Sequence, residues 1–214
     1  MRYARIAGGL VALALSASPA LAKETPVYGT TDQVEGHSYS YWDMTWARFE
    51  WEPGGKASPL NNPTPCNHLV VGNVFILPGP NKSATVTCKL AHGLSIYLPT
   101  GSGLSVKTSK SDTRASLRRD AISGYKWITI ADTTLDGKDL RARSFRSQTP
   151  FFRLNPKKGG PLGVTGGRAA MEAGYNLLLR PLAPGTHTIH EHIKIVVKGK
   201  TVYESRPTFK LIVS

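Results

Sequence analysis

The strongest constraint on the fold is the stretch Tyr175–Val197, in which two alternating apolar runs flank a turn built from Pro181, Pro184 and Gly185. Residues two apart on a strand share a face. Tyr175, Leu177 and Leu179 therefore point one way on the first run, and Ile189, Ile193, Ile195 and Val197 share a face of the second. Thr188, His190, His192 and Lys194 take the opposite face of that second run. Apolar on one side and polar on the other is the pattern of a sheet with one face on a core and one in water. The stretch predicts two antiparallel strands closing a β-sandwich as a hairpin.

The same grammar recurs along the chain. Val70 to Leu77 is almost unbroken in apolar residues, which predicts a strand covered on both faces. Ser83 to Leu90 alternates, with Val86, Cys88 and Leu90 inward, and Leu94, Ile96 and Leu98 repeat the pattern while Ser95 and Tyr97 face water. Trp127 to Ala131 reads as a strand, Asp136-Gly137 as a tight hairpin turn and Lys198-Gly199-Lys200 as another turn. Phe209, Leu211 and Val213 end the chain as an inward-facing strand.

Two short helices are expected. In the first, Trp42, Trp46 and Phe49 recur at helical spacing, Ser40 and Asp43 form a capping box, and Pro53-Gly54-Gly55 ends the helix. Its aromatic stripe is the face that packs on a sheet. The second is capped by Ser111 or Asp112 and runs to about Ile122. Thr100 to Ser111 reads as a loop, as does Pro156 to Gly167 with its five glycines, which lack the spacing of a phosphate loop. The fold class is mainly β: a single antiparallel β-sandwich-like domain with two short helices and one disulfide.

Arg2 and Arg5, the apolar run Ile6–Leu15 and Ala20-Leu21-Ala22 have the form of a secretory signal peptide over residues 1–22. The run is too short to cross a hydrocarbon layer about 30 Å thick. The expectation is a secreted or periplasmic domain over residues 23–214. Cys66 and Cys88 are the only cysteines, and in an oxidising compartment they are expected to pair. Asn81-Lys82-Ser83 has the form of a glycosylation acceptor, but the Pro78-Gly79-Pro80-Asn81 turn already accounts for Asn81.

The formal net charge is +13, and from Leu140 to Met171 seven Arg or Lys residues occur with no acid. A basic exported protein meets anionic surfaces. The function expected is non-catalytic binding of an anionic envelope polymer or lipid surface, through Arg118, Arg119, Arg141, Arg143, Arg146, Lys157 and Lys158. Nucleic acid is disfavoured, because export limits access and no aromatic-interleaved motif accompanies the charges. One alternative is metal binding by His190 and His192, which share the outward face about 6 to 7 Å apart. His187 and Glu191 fall on the other face, so a third ligand would have to come from elsewhere, His92 or His68 being candidates. Another is a secreted hydrolase, although GxSxG, HExxH and paired-carboxylate motifs are all missing and 14 acids are few. No catalytic residue and no cofactor are assigned.

Several segments together resemble a group of bacterial secreted β-rich proteins of unknown function. They are Trp42 and Trp46 in the early helix, Cys66 with Val74-Phe75-Ile76-Leu77-Pro78-Gly79, Val86-Thr87-Cys88, Leu135-Asp136-Gly137-Lys138, Ser147 to Phe152, and Tyr175 through His190. The resemblance implies one secreted β domain and supplies no activity. It includes His187 and His190 and departs at His192, which implies no role shared by all three histidines.

Overall fold

The computed structural model describes residues 25–79 and 83–214. The leader expected over residues 1–22, and Pro80 and Asn81 of the expected turn, lie outside the described residues. The strands are β1 (Leu69–Val71), β2 (Val74–Ile76), β3 (Thr85–Leu90), β4 (Ser95–Val106), β5 (Ile128–Leu135), β6 (Lys138–Asp139), β7 (Arg146–Gln148), β8 (Phe152–Leu154), β9 (Arg168–Leu179), β10 (Gly185–Val197), β11 (Lys200–Ser205) and β12 (Thr208–Val213). The α-helices are α1 (Tyr39–Trp51) and α2 (Arg114–Trp127).

The strands form two sheets. The first runs β1-β2-β4-β9-β7, with β8 also on β9; the second runs β3-β12-β10-β5-β6, with β11 also on β10. Pairing is antiparallel except for β2 with β4 and β12 with β3. The sheets face each other in a sandwich-like arrangement. Phe75, Ile96, Leu98, Leu177 and Leu179 from the first meet Val86, Cys88, Leu135, Ile189, Phe209 and Leu211 from the second.

The expected closing hairpin is corrected here. β9 and β10 do not pair; they lie in different sheets, and the segment between them crosses from one to the other. Pro181 and Pro184 have no N–H to give a ladder, which suits a crossing better than a hairpin. The inward residues of both runs still meet, across the sandwich rather than along one sheet.

The first sheet is covered on its other face as well. Tyr39, Trp42, Trp46 and Ala47 of α1 pack on Val74, Ile76, Tyr97 and Leu178. Large aromatics bury about 150–250 Å² each, so Trp42 and Trp46 dominate this second core. That layer explains why Tyr97 and Ser95 are buried instead of facing water. It also changes the role of Asp43, which is buried beneath α1 and caps nothing; Ser38 is the N-cap and makes no side-chain capping bond.

Three boundaries also differ from expectation. Val70 to Leu77 is broken by a turn at Gly72-Asn73, with Gly72 at φ 54°, into the hairpin β1–β2. Thr100 to Val106 continues β4 past a register shift between Pro99 and Ser102. The second helix starts after Thr113, whose hydroxyl accepts from the Ser116 N–H at 3.1 Å in a capping box, and runs on to Trp127. Small residues allow both extensions: a Cβ at either Gly103 or Gly124 would stand 3.3 Å from the other's Cα, so β4 and α2 touch backbone to backbone. The second helix covers Met171 and Ala173 through Ala121, on the sandwich side of the first sheet.

Cys66 and Cys88 form the expected disulfide, with Cα atoms 5.3 Å apart. The bridge ties the loop before β1, an edge of the first sheet, to β3, an edge of the second. Among the described residues no helix is long and apolar enough to cross a membrane.

Candidate functional site

Two of the expected anion-binding arginines are brought together by β7 and the turn before it. The Arg143 guanidinium lies 5.7 Å from the Tyr175 ring centre, and that of Arg146 lies 5.9 Å from the same ring and 5.3 Å from Tyr125. Arg143 Nη1 donates to the Thr129 carbonyl at 2.7 Å. Tyr125 sits on α2 and donates its hydroxyl to the Ser147 carbonyl at 2.5 Å, so the helix and β7 are clasped at this point. Further along the same helix face, Arg114 stands 5.3 Å from the Phe151 ring centre, and Arg118 lines a small cleft with Gln148, Thr149 and Phe151. Positions 114, 118 and 125 share a face at 3.6 residues per turn.

The result is a row of four exposed guanidiniums, Arg114, Arg118, Arg143 and Arg146, along the seam between α2 and β7. Among the described residues none of the four has a carboxylate partner within 4.0 Å. Guanidiniums laid on aromatic rings are partly pre-oriented, and the N–H groups that the Thr129 carbonyl does not take are open to oxyanions. This arrangement can grip phosphate, sulfate or carboxylate groups spaced along a polymer.

The acids beneath the seam do little to cancel its charge. Asp43 Oδ1 accepts from the Tyr97 hydroxyl at 2.7 Å and from Asn176 Nδ2 at 3.0 Å. Asn176 Nδ2 also donates to Glu172 Oε1 at 3.5 Å. Burial pushes Asp43 up to about 6 against the pull of those hydrogen bonds. Glu172 is held well above the usual carboxylate range by burial first and by the Asp43 charge second. Two neighbouring carboxyls in a dry interior do not both ionise, so the pair keeps a proton at neutral pH. Burial likewise lifts Tyr125 to about 12, keeping its hydroxyl a donor.

The other expected contacts lie elsewhere. Arg119 is exposed and stands 4.0 Å from Asp120. Arg141 starts a single 3-10 turn (Ala142–Ser144) in the left-handed region at φ 53°, its backbone N–H held by Asp139 Oδ1 at 2.8 Å. Lys157 and Lys158 lie against the end of α1, where the Lys157 N–H donates to the Glu52 carbonyl at 2.9 Å. They are not part of the row along α2.

The histidines are each engaged separately. His190 Nδ1 is 2.9 Å from the Thr208 hydroxyl, and His192 Nε2 is 2.9 Å from Glu204, which also binds Lys194 and Arg206 at 3.2 Å. His187 Nδ1 is 2.7 Å from Asp136 Oδ2. Among the described residues no three His, Cys, Asp or Glu side chains converge in a metal-binding group.

Sequence reasoning missed Arg114, Tyr125 and Tyr175 as parts of the seam. Ending the second helix at Ile122 hid Tyr125; carrying its period to Trp127 puts Tyr125 on the face of Arg114 and Arg118.

No protein-family model matches the chain, and no curated protein matches it. The similar solved structures include two of low TM-score. The solution structure of amebosin is 14% identical, covers 64% of this chain and 100% of its own, and has a TM-score of 0.20. The crystal structure of a cysteine protease inhibitor from Entamoeba histolytica is 16% identical, covers 66% of this chain and 96% of its own, and has a TM-score of 0.23. Overlap of this degree carries no inference about the fold or the function of this chain.

Proposed function

We propose that the chain is an exported, non-catalytic binding protein that holds an anionic envelope polymer or lipid surface along the arginine row of α2 and β7. The observation that carries this reading is the set of four exposed guanidiniums, each beside an aromatic ring or cleft and none paired with a carboxylate among the described residues. The net charge of +13 adds long-range attraction for polyanions. The disulfide and the lack of a membrane-crossing helix among the described residues are compatible with a secreted or periplasmic setting.

The test is binding of the protein to polyphosphate, a polyuronate, lipopolysaccharide and anionic vesicles at low and high salt. Arg143→Glu/Arg146→Glu is expected to abolish selective, salt-sensitive binding. Lys157→Glu/Lys158→Glu, which changes charge equally at the end of α1, is expected to retain most of it. Equal losses in the two variants would show that net charge acts without a site.

A further inference from the structure

A second site lies on the side of the molecule where α1, β4 and β10 meet. It is a cavity of about 200 Å³. Its wall is mostly apolar and aromatic: Trp46 and Trp51 from α1, Pro99 from β4, Ile193 and Ile195 from β10. Glu191 also lines it, at an inward position between Ile189 and Ile193, where a β-sandwich ordinarily places an apolar side chain. Glu191 is 4% exposed, and its Oε1 has no hydrogen-bond partner among the described residues. A second carboxyl stands behind the wall. Glu50 Oε2 accepts from the N–H of Gly79, a lining residue, at 3.2 Å, while its Oε1 is also without a partner. The indole nitrogens of Trp46 and Trp51, both lining residues, also have no hydrogen-bond partner among the described residues.

Buried polar groups in folded proteins are ordinarily satisfied, and an orphaned carboxyl facing a cavity marks a place that something else completes. An isolated carboxylate in an apolar wall is costly, and a cation is the partner that relieves the cost. Indole and phenol faces attract the same kind of group. A cavity of roughly 150 Å³ holds a benzene ring, so this one takes a single side-chain-sized group.

The floor of the site has a further property. β2 pairs with β4 only over Ser95 to Tyr97, so beyond that point the β2 side of β4 has no strand partner among the described residues. Pro99, Gly101 and Ser102 lie both on that stretch and in the cavity wall.

We propose that this cavity binds a primary ammonium group on an apolar stem, the ammonium meeting Glu191 and the stem lying between the indoles and Ile193. Burial holds the Glu191 carboxyl well above the usual range, and no salt-bridge partner faces it among the described residues. The ammonium is either that of a free alkylamine or that of a lysine side chain whose peptide backbone runs along the open edge of β4.

The experiment follows the indole N–H signals of Trp46 and Trp51 by NMR during titration with n-pentylammonium, n-pentanol and n-pentanoate. The ammonium is expected to shift both signals in a saturable way, with the alcohol at least tenfold weaker and the carboxylate without effect. Glu191→Gln is expected to weaken the ammonium at least tenfold and leave the alcohol unchanged. Ile195→Phe, which fills the cavity without altering charge, is expected to abolish binding of both. A capped Val-Lys-Val peptide that binds more tightly than the free amine assigns the source as a lysine side chain; weaker binding assigns it as a free amine. Equal affinity for ammonium and alcohol, full ammonium binding by folded Glu191→Gln, or no response of either indole would overturn the proposal.

Discussion

Glu50 offers the sharpest test of how the interior is arranged. It is fully buried on α1, and burial pushes it from 4.5 up to about 8, only partly opposed by the hydrogen bond from the Gly79 N–H. Below pH 4.5 the folded and unfolded chains both hold the proton. Between there and about 8 the fold holds a proton that the unfolded chain has released, so stability falls by about 1.4 kcal/mol per pH unit. Across the whole window the loss is about 5 kcal/mol, complete above the folded value. Glu50→Gln keeps the shape and an acceptor for the Gly79 N–H but cannot ionise. The buried amide brings two N–H donors where the protonated carboxyl has a single unpartnered O–H, a fixed cost of about 1–3 kcal/mol at every pH. Urea unfolding at pH 5, 6, 7 and 8 should show the variant less stable than wild type at pH 5 and more stable at pH 8. The difference should change by about 1.4 kcal/mol per pH unit. Glu172 and Glu191 titrate in both proteins and cancel in that difference. Parallel pH profiles for the two proteins would refute the reasoning, because Glu50 would then ionise alike in the folded and unfolded chains.

Three other perturbations test separate parts of the fold. A Cβ at Gly174 would stand 2.4 Å from Ser102 Cα and 2.5 Å from the Gly101 carbonyl oxygen, so Gly174→Ala is expected to cost about 2–3 kcal/mol. A thermal midpoint equal to wild type would contradict that close approach. Replacing both cysteines, Cys66→Ala/Cys88→Ala, opens a link across 22 residues and should lower stability by about 3 kcal/mol in urea under non-reducing conditions. His187 is raised, chiefly by its hydrogen bond to Asp136, so an NMR titration should place it above 6.5 and Asp136→Asn should bring it down. The stabilisation from this pair is full below 6.5 and fades as pH rises through the folded value; an unchanged midpoint in the variant would remove Asp136 as the cause.

The period of two showed which residues turn inward, since that depends only on neighbouring positions. Val86, Cys88 and Leu90, and likewise Phe209, Leu211 and Val213, are buried as their alternation requires. The partner of each face was not legible, because it depends on elements distant in the chain. Tyr97 alternates as an outward residue and is outward from the sandwich, yet α1 covers that face and Asp43 takes its hydroxyl. β9 and β10 carry matching apolar faces whether they pair side by side or face each other, and periodicity does not distinguish the two. Gly101, Ser102 and Gly103 resemble a loop by propensity, yet they continue a strand, with Gly103 letting α2 approach at Gly124 and Gly174 letting β9 approach Ser102. Glu191 was correctly read to the inward face, but its meaning came from Trp46 and Trp51, more than a hundred positions earlier.

The same burial changes what the composition says about charge. The formal value of +13 treats all 14 acids as ionised. Glu50, Glu172 and Glu191 lie in the interior, and burial raises each of them, favouring the protonated carboxyl in the folded state. The folded protein is therefore more positive near neutral pH than its composition states. Buried acids raised by their dry surroundings and arginines without a carboxylate partner among the described residues belong to one arrangement. Ionised carboxylates close under α2 and β7 would draw the guanidiniums inward and screen them from solvent; protonated ones leave the surface field to the arginines. Glu191 lines the cavity from β10 while the arginine row runs along α2 and β7, so one basic molecule can present an anion-gripping edge and a cation-accepting pocket at different places.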